Sequence, residues 1–317
     1  MLEVIFEKHA IRIGQNFAIC FHRTLRIPDD GRVYPLPPGL GLFPLFSVED
    51  YSDRLPARWR RQGGAFIPMY RKEALWLGFS SPSRRPHAVK IGAGGIDAIS
   101  GKPFEKGLCA APQDYIVCPD QPWLDGINTG RGTIRQFAAM PMGEGYTIEA
   151  SLTGTEKMGG IQLLVFPPKP GRFPEEPPSD PGVGTGPVRP AEMAMGLGAG
   201  GLMKQKIYPD TYGIDTWDLQ NRGETTIHIV NGKQFRQLTG IAPPASPINA
   251  QTYTDQGLPW FELYDETAAD IDPSEHLGKV KTIAEMDRKT GRLSGNDSVT
   301  IPHTQIEKID RAKAVKK

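Results

Sequence analysis

Apolar and polar residues alternate over short stretches of this chain, and glycine or proline interrupts the alternation every few residues. Phe17, Ile19, Phe21, Leu25 and Ile27 share one parity, with Arg23 the exception. That period of two predicts a strand with one buried face. The clearest alternation is Tyr146, Ile148, Ala150 and Leu152 against Thr147, Glu149 and Ser151. It predicts a strand over 146–152, set between Gly143-Glu-Gly145 and Gly154, with Ile161 to Phe166 as its hairpin partner. Shorter strands are expected at 66–79, 88–92, 114–118, 202–208 and 225–230.

Helical signals are few. Asn231 as N-cap, Gln234 three residues on, Phe235 and Leu238 on one face and Gly240 as a stop predict one short helix. Thr282 and Glu285 form a capping-box pattern ahead of Met286 to Lys289 and Gly291. Many short strands with few helices predict a mainly β fold, antiparallel and built as sandwich-like or barrel-like domains. Residues 167–190 hold nine prolines in 24 positions, a composition that neither sheet nor helix accommodates. The expected organisation is therefore an N-terminal β domain over 1–166, a Pro/Gly-rich linker or loop over 167–190, a second β-rich domain with short helices over 191–291, and a polar, basic, flexible tail over 292–317.

Composition narrows the partners. A net charge of +1 across 317 residues gives no electrostatic pull toward nucleic acid or an acidic membrane. Apolar runs such as Leu163-Leu-Val-Phe166 fall far short of the ~18–20 residues of a membrane helix. Acids and a histidine interrupt the first nine residues, where a secretion signal needs an apolar run. Three cysteines, Cys20, Cys109 and Cys118, suit a reducing cytoplasm better than a disulfide framework. Cytoplasmic residence is the expectation.

Motifs for chemistry are sparse. Gly196, Gly198 and Gly201 match G-x-G-x-x-G, but the next residues, Met203-Lys-Gln-Lys-Ile-Tyr-Pro209, read as a strand. A dinucleotide site needs a helix there, so a glycine turn or β-bulge is expected and no cofactor is implied. The cysteines and the six histidines show no metal-ligand spacing, so no metal site is expected. Ser100 has no recognisable catalytic partners. Three places set an indole beside a carboxylate: Trp123 with Asp125, Trp217 with Asp218, and Trp260 with Glu262. Aromatic faces stack on sugars and paired carboxylates cleave glycosidic bonds, so these six residues are the candidate ligand site. The competing reading is that the tryptophans anchor β-cores while the acids cap turns.

Gln121-Pro-Trp-Leu-Asp-Gly126, the run from Ile134 to Glu149, Gly159-Gly-Ile-Gln162 and Met195 to Lys206 resemble uncharacterised proteins of bacteria and fungi, some of which carry a ubiquitin-like domain elsewhere in the chain. The resemblance covers about residues 65–265. It implies no catalytic residues, because the group has no established activity. The expected function is non-enzymatic: binding a protein partner, or assembly into a homo-oligomer, since strand edges must be paired or covered. The alternative is a carbohydrate-binding or glycan-hydrolysing protein using the three tryptophan–acid pairs.

Overall fold

The computed structural model describes residues 1–81, 83–174, 194–264, 269–292 and 298–310. Among them the fold is mainly antiparallel β, as the alternation predicts, with 17 strands linked in one sheet that does not close into a barrel. Eight strands form its frame: β1 (Ala10–Ile13), β2 (Phe17–Thr24), β3 (Ala74–Ser80), β4 (His87–Ala93), β5 (Thr133–Pro141), β6 (Ile161–Phe166), β7 (Ala194–Lys204) and β8 (Gly223–Val230). Their spatial order is β1-β2-β3-β5-β7-β8-β6-β4, antiparallel at every step. Short strands Val33–Tyr34 and Ala65–Pro68 add parallel to β7 and β8. A separate parallel pair joins β9 (Trp260–Tyr264) to β10 (Ile306–Asp310). The helices are short: α1 (Ala57–Gln62), α2 (Ile148–Thr153), α3 (Gly232–Thr239), α4 (Ala250–Asp255), α5 (Glu275–Gly278) and α6 (Ile283–Thr290).

Period-two patterning assigns side chains to layers. In β2, Phe17, Ile19 and Phe21 enter the main core while Ala18, Cys20 and His22 are half-buried. Strands β4 and β6 are buried on both faces. Val89, Ile91, Leu163 and Val165 join the main core. Ala88, Leu164 and Phe166 pack on the opposite side with Tyr115, Val117 and Trp217. This is why β6 reads as a continuous apolar run rather than an alternation.

The structure corrects several expectations. Residues 167–190 do not separate two domains: β5 pairs with β7, and β6 pairs with β8, across that segment. One core cluster takes residues from both sides. Proline forbids regular structure locally but says nothing about whether the flanking strands pair. The described start of the segment is itself packed, since Lys169 donates its N–H to Thr216 O (2.8 Å) and Pro168 bridges to Trp217; residues 175–190 lie outside the described residues. The strand expected at 146–152 is helix α2. Thr147 caps it, accepting the Ala150 N–H at 3.0 Å, and Gly154 ends it in the left-handed region at φ 71°. The alternation is real but both its faces meet protein: Tyr146 and Ile148 are buried, and so are Thr147 and Glu149. Strand β6 consequently finds its partners in β4 and β8. The tail also departs from expectation, because Ile306–Asp310 forms β10; residues 293–297 and 311–317 lie outside the described residues.

Two helices follow their capping signals. Asn231 accepts the Gln234 N–H at 3.0 Å at the start of α3, with Gly240 as its stop. Thr282 and Glu285 complete a reciprocal capping box on α6. The glycine triplet lies inside β7. Across from it the register slips between Arg135 and Phe137, so Gly200 and Gly201 oppose the single residue Gln136, a β-bulge. A Cβ on Gly201 would lie 2.1 Å from Pro28 O, which is why a side chain is excluded there. Among the described residues no helix is long and apolar enough to cross a membrane.

Candidate binding cleft

The candidate tryptophans do not assemble into one site. Trp217 is fully buried and donates its indole N–H to Asp210 Oδ2 at 2.9 Å, an acceptor shared with the Tyr115 hydroxyl at 2.6 Å. Trp260 is fully buried in the main core, its N–H on Thr254 Oγ1 at 3.1 Å. Neither ring has a free face for a sugar. Trp123 is half-buried against the main core, and its indole N–H donates to Asp125. Asp125 is itself buried, bonded to Gln205 Nε2 at 2.8 Å, and burial pushes its carboxyl up to about 7. Glu262 pairs with Lys204 at 2.9 Å. Asp218 Oδ1 caps a turn, accepting the N–H groups of Gln220 (3.0 Å) and Asn221 (3.2 Å). The three tryptophans anchor cores, Asp125 is bonded to Gln205, Glu262 is held in an ion pair, and Asp218 caps a turn and also borders a small cavity.

A concave feature with converging polar side chains lies elsewhere. A cleft of about 640 Å³ opens between the turn 99–102, the loop 110–113, Pro209, and the segment 270–276 that leads into α5. That volume falls within the ~300–1,000 Å³ typical of ligand pockets.

Its walls are held from behind. Asp97, at the end of the short strand Ile96–Asp97, is 1% exposed. Its Oδ1 accepts from the N–H groups of Ile99 (3.1 Å) and Ser100 (2.7 Å) and from Ser100 Oγ (2.8 Å). These bonds fold 97–101 into a tight turn, with Gly101 at φ 73°. Burial pushes the Asp97 carboxyl up to about 7, against the pull of the Ser100 bonds and helped by the nearby Asp114 charge. The facing wall is tied to this turn by Ser274, which donates its hydroxyl to Ser100 O at 2.5 Å and caps α5 by accepting the Leu277 N–H at 3.2 Å. Asn128 braces both, donating its side-chain amide to Ile99 O (3.3 Å) and Asp272 O (3.1 Å). Gly101 sits directly beneath α5, where a Cβ would come within 2.8 Å of His276 and 2.9 Å of Ser274.

Within this frame the lining divides by function. Asp270 is structural, accepting the Ile207 N–H at 2.8 Å and the Gly132 N–H. Gln113 is also spent, on Tyr115 O, Tyr208 O and the Asp210 N–H. Asp272 pairs with Arg131 on an exposed rim. Lys102, Glu275 and His276 are exposed, and their side chains bond to no other described residue. Ile99, Pro112 and Ile271 supply apolar surface between them.

Ser100 Oγ donates to the Asp97 carboxylate. The buried histidines, His87 and His228, are occupied by the Arg85 and Gly63 carbonyls. Among the described residues no cluster of three or more His, Cys, Asp or Glu could hold a metal ion. Comparison with protein-family models, curated proteins and solved structures finds no match to this chain. The fold and the cleft therefore define only a class, an antiparallel β protein with a braced polar cleft.

Proposed function

We propose that this chain is a cytoplasmic, non-enzymatic binding protein whose cleft holds a short charged segment of a protein partner. One observation carries the reading: Lys102 on one wall and Glu275 with His276 on the other line the same cleft without partners among the described residues, while the lining side chains of Ser100, Gln113, Asp270, Asp272 and Ser274 are each bonded. Opposite charges held apart on braced walls complement a peptide bearing both signs, and braced walls reduce the ordering cost of binding. Apolar Ile99, Pro112 and Ile271 offer contact to the peptide's intervening residues. The chain's resemblance to uncharacterised bacterial and fungal proteins adds no competing chemistry. The glycan alternative is not retained, because buried Trp217 and Trp260 offer no stacking face.

Fluorescence anisotropy of labelled pentapeptides carrying one lysine and one glutamate tests this on the full-length protein. Saturable binding is expected, weakened at least tenfold by Lys102→Glu or Glu275→Lys and not shared by an uncharged pentapeptide. Equal binding of charged and uncharged peptides, or indifference to both reversals, would remove the cleft as the recognition site. Native mass spectrometry of the same sample separates a bound partner from self-association.

A further inference from the structure

A second concavity, of about 270 Å³, lies apart from the cleft. Five chain segments build it: Leu2, the turn 13–16, Arg85 with His87, the prolines at 167–170, and Asp218 with Asn221. All are anchored. Leu2 N–H bonds Arg222 O at 3.0 Å, Gly14 N–H bonds Glu3 O at 2.8 Å, and Asp218 N–H bonds Pro167 O at 2.9 Å. The ring of His87 packs 4.7 Å from that of Phe17, and its Nδ1 donates to Arg85 O at 3.0 Å, leaving Nε2 as an acceptor. Burial pushes His87 down to about 4, so at neutral pH Arg85 is the one cation among the lining residues.

Arg85 and Asp218 border one small space yet form no ion pair with each other, and the Arg85 guanidinium pairs with no described carboxylate. Asp218 spends Oδ1 on its turn, which leaves Oδ2 for a ligand. A guanidinium fork matches a carboxylate bidentately, and a carboxylate accepts from an ammonium. The amides of Asn16 and Asn221 add donors and acceptors, and Pro168 gives an apolar wall.

We propose that this pocket binds a small α-amino acid, with its carboxylate on Arg85 and its ammonium on Asp218. The volume lies just below the usual ~300–1,000 Å³ of ligand pockets, which restricts the ligand to a single small residue rather than a peptide. The site is independent of the peptide cleft, since no residue lines both.

The test is an NMR titration of the 15N-labelled full-length protein with L-alanine, acetate, methylammonium and glycine betaine. Saturable shifts at Asn16, Arg85 and Asn221 are expected with L-alanine. Acetate and methylammonium should bind at least tenfold more weakly, because each satisfies one charge. Betaine, whose quaternary nitrogen donates no hydrogen bond, should also be weaker. Arg85→Gln and Asp218→Asn should each weaken alanine at least tenfold with an unchanged thermal midpoint; asparagine retains the Oδ1 that caps the turn, so folding is preserved. Acetate binding as tightly as alanine would overturn the assignment, as would shifts confined to Lys102 and His276, or none at all.

Discussion

Replacing Asp97 with asparagine should make the protein more stable at alkaline pH and less stable at acid pH. In the unfolded chain this carboxyl releases its proton near its ordinary 3.8, whereas in the folded protein burial raises that point to about 7. Between those values the folded state holds a proton that the unfolded state has lost. Stability therefore falls as pH rises through the window and levels off above 7. At about 1.36 kcal/mol per pH unit, a rise from 3.8 to about 7 amounts to roughly 4 kcal/mol, to order of magnitude. Asparagine does not titrate and keeps an oxygen for the three donors from Ile99 and Ser100. Its Nδ2 would take the place of Oδ2, which is buried without a partner, at a pH-independent cost of about 1–3 kcal/mol. Asp97→Asn should thus be about 0–2 kcal/mol less stable than the parent near pH 4.5 and about 1–3 kcal/mol more stable near pH 8.5. Lys90 and Asp114, the other charges acting on Asp97, are present in both proteins. The same holds for Asp125, and for His22, His87 and His228, so their slopes cancel in the difference. Urea unfolding of both proteins from pH 4.5 to 8.5 reads that difference directly. A gap that stays constant across the range would refute the raised carboxyl.

Burial holds His22, His87 and His228 down to about 4, so their contribution to stability is present above 6.5 and is lost as pH falls from 6.5 toward 4; an imidazole NMR titration with a midpoint near 6.5 for any of them would contradict its burial. Gly201→Ala should destabilise by about 1–3 kcal/mol or more, because the added carbon meets Pro28 O in backbone that cannot swing aside; an unchanged denaturation midpoint would refute the bulge packing. Trp217→Phe and Trp260→Phe should each cost about 1–3 kcal/mol from a lost hydrogen bond and imperfect filling, measured by chemical unfolding, and parental stability in either variant would contradict the buried bonds. Acrylamide should quench Trp76 and Trp123, which are half-buried, and spare Trp217 and Trp260.

Local patterns proved sound where one residue type has one physical use. Asn231 with Gly240, and Thr282 with Glu285, marked their helices because a side-chain acceptor at an N-cap and a glycine in the left-handed region each answer a backbone need that sequence exposes. Alternation was sound in β2, whose two faces differ in burial. It failed at 146–152, where Thr147 and Glu149 are as buried as Tyr146 and Ile148. Glu149 survives there because its carboxylate accepts the N–H groups of Lys157, Met158 and Gly159. A buried polar residue with a satisfied head looks, in one dimension, like the solvent face of a strand. Proline density failed for a related reason: it reports what residues 167–190 cannot form, whereas the pairings of β5 with β7 and β6 with β8 are written in strands on either side.

The cleft was hidden more thoroughly, and the cause is topological. Asp97 and Ser100 can be read as a turn, and Ser274 as a helix cap, from their immediate neighbours alone. Nothing local says that the Ser274 hydroxyl reaches Ser100 O across 174 residues, or that Asn128 clamps both segments. Tryptophan beside acid drew attention because the two lie within two residues of each other, yet closeness along the chain does not make two side chains share a surface: Trp260 is fully buried while Glu262, on the same strand, reaches out to Lys204. Just past a 3-10 turn, Trp217 enters a core while Asp218 caps the next turn and borders the small pocket. Residues that share a ligand are brought together by turns and long-range bonds, and in this protein those bonds run through backbone carbonyls, which every residue type possesses. The chemistry of Lys102, Glu275 and His276 is therefore unremarkable in sequence. What distinguishes them is that they face the cleft unbonded while the polar groups around them are bonded.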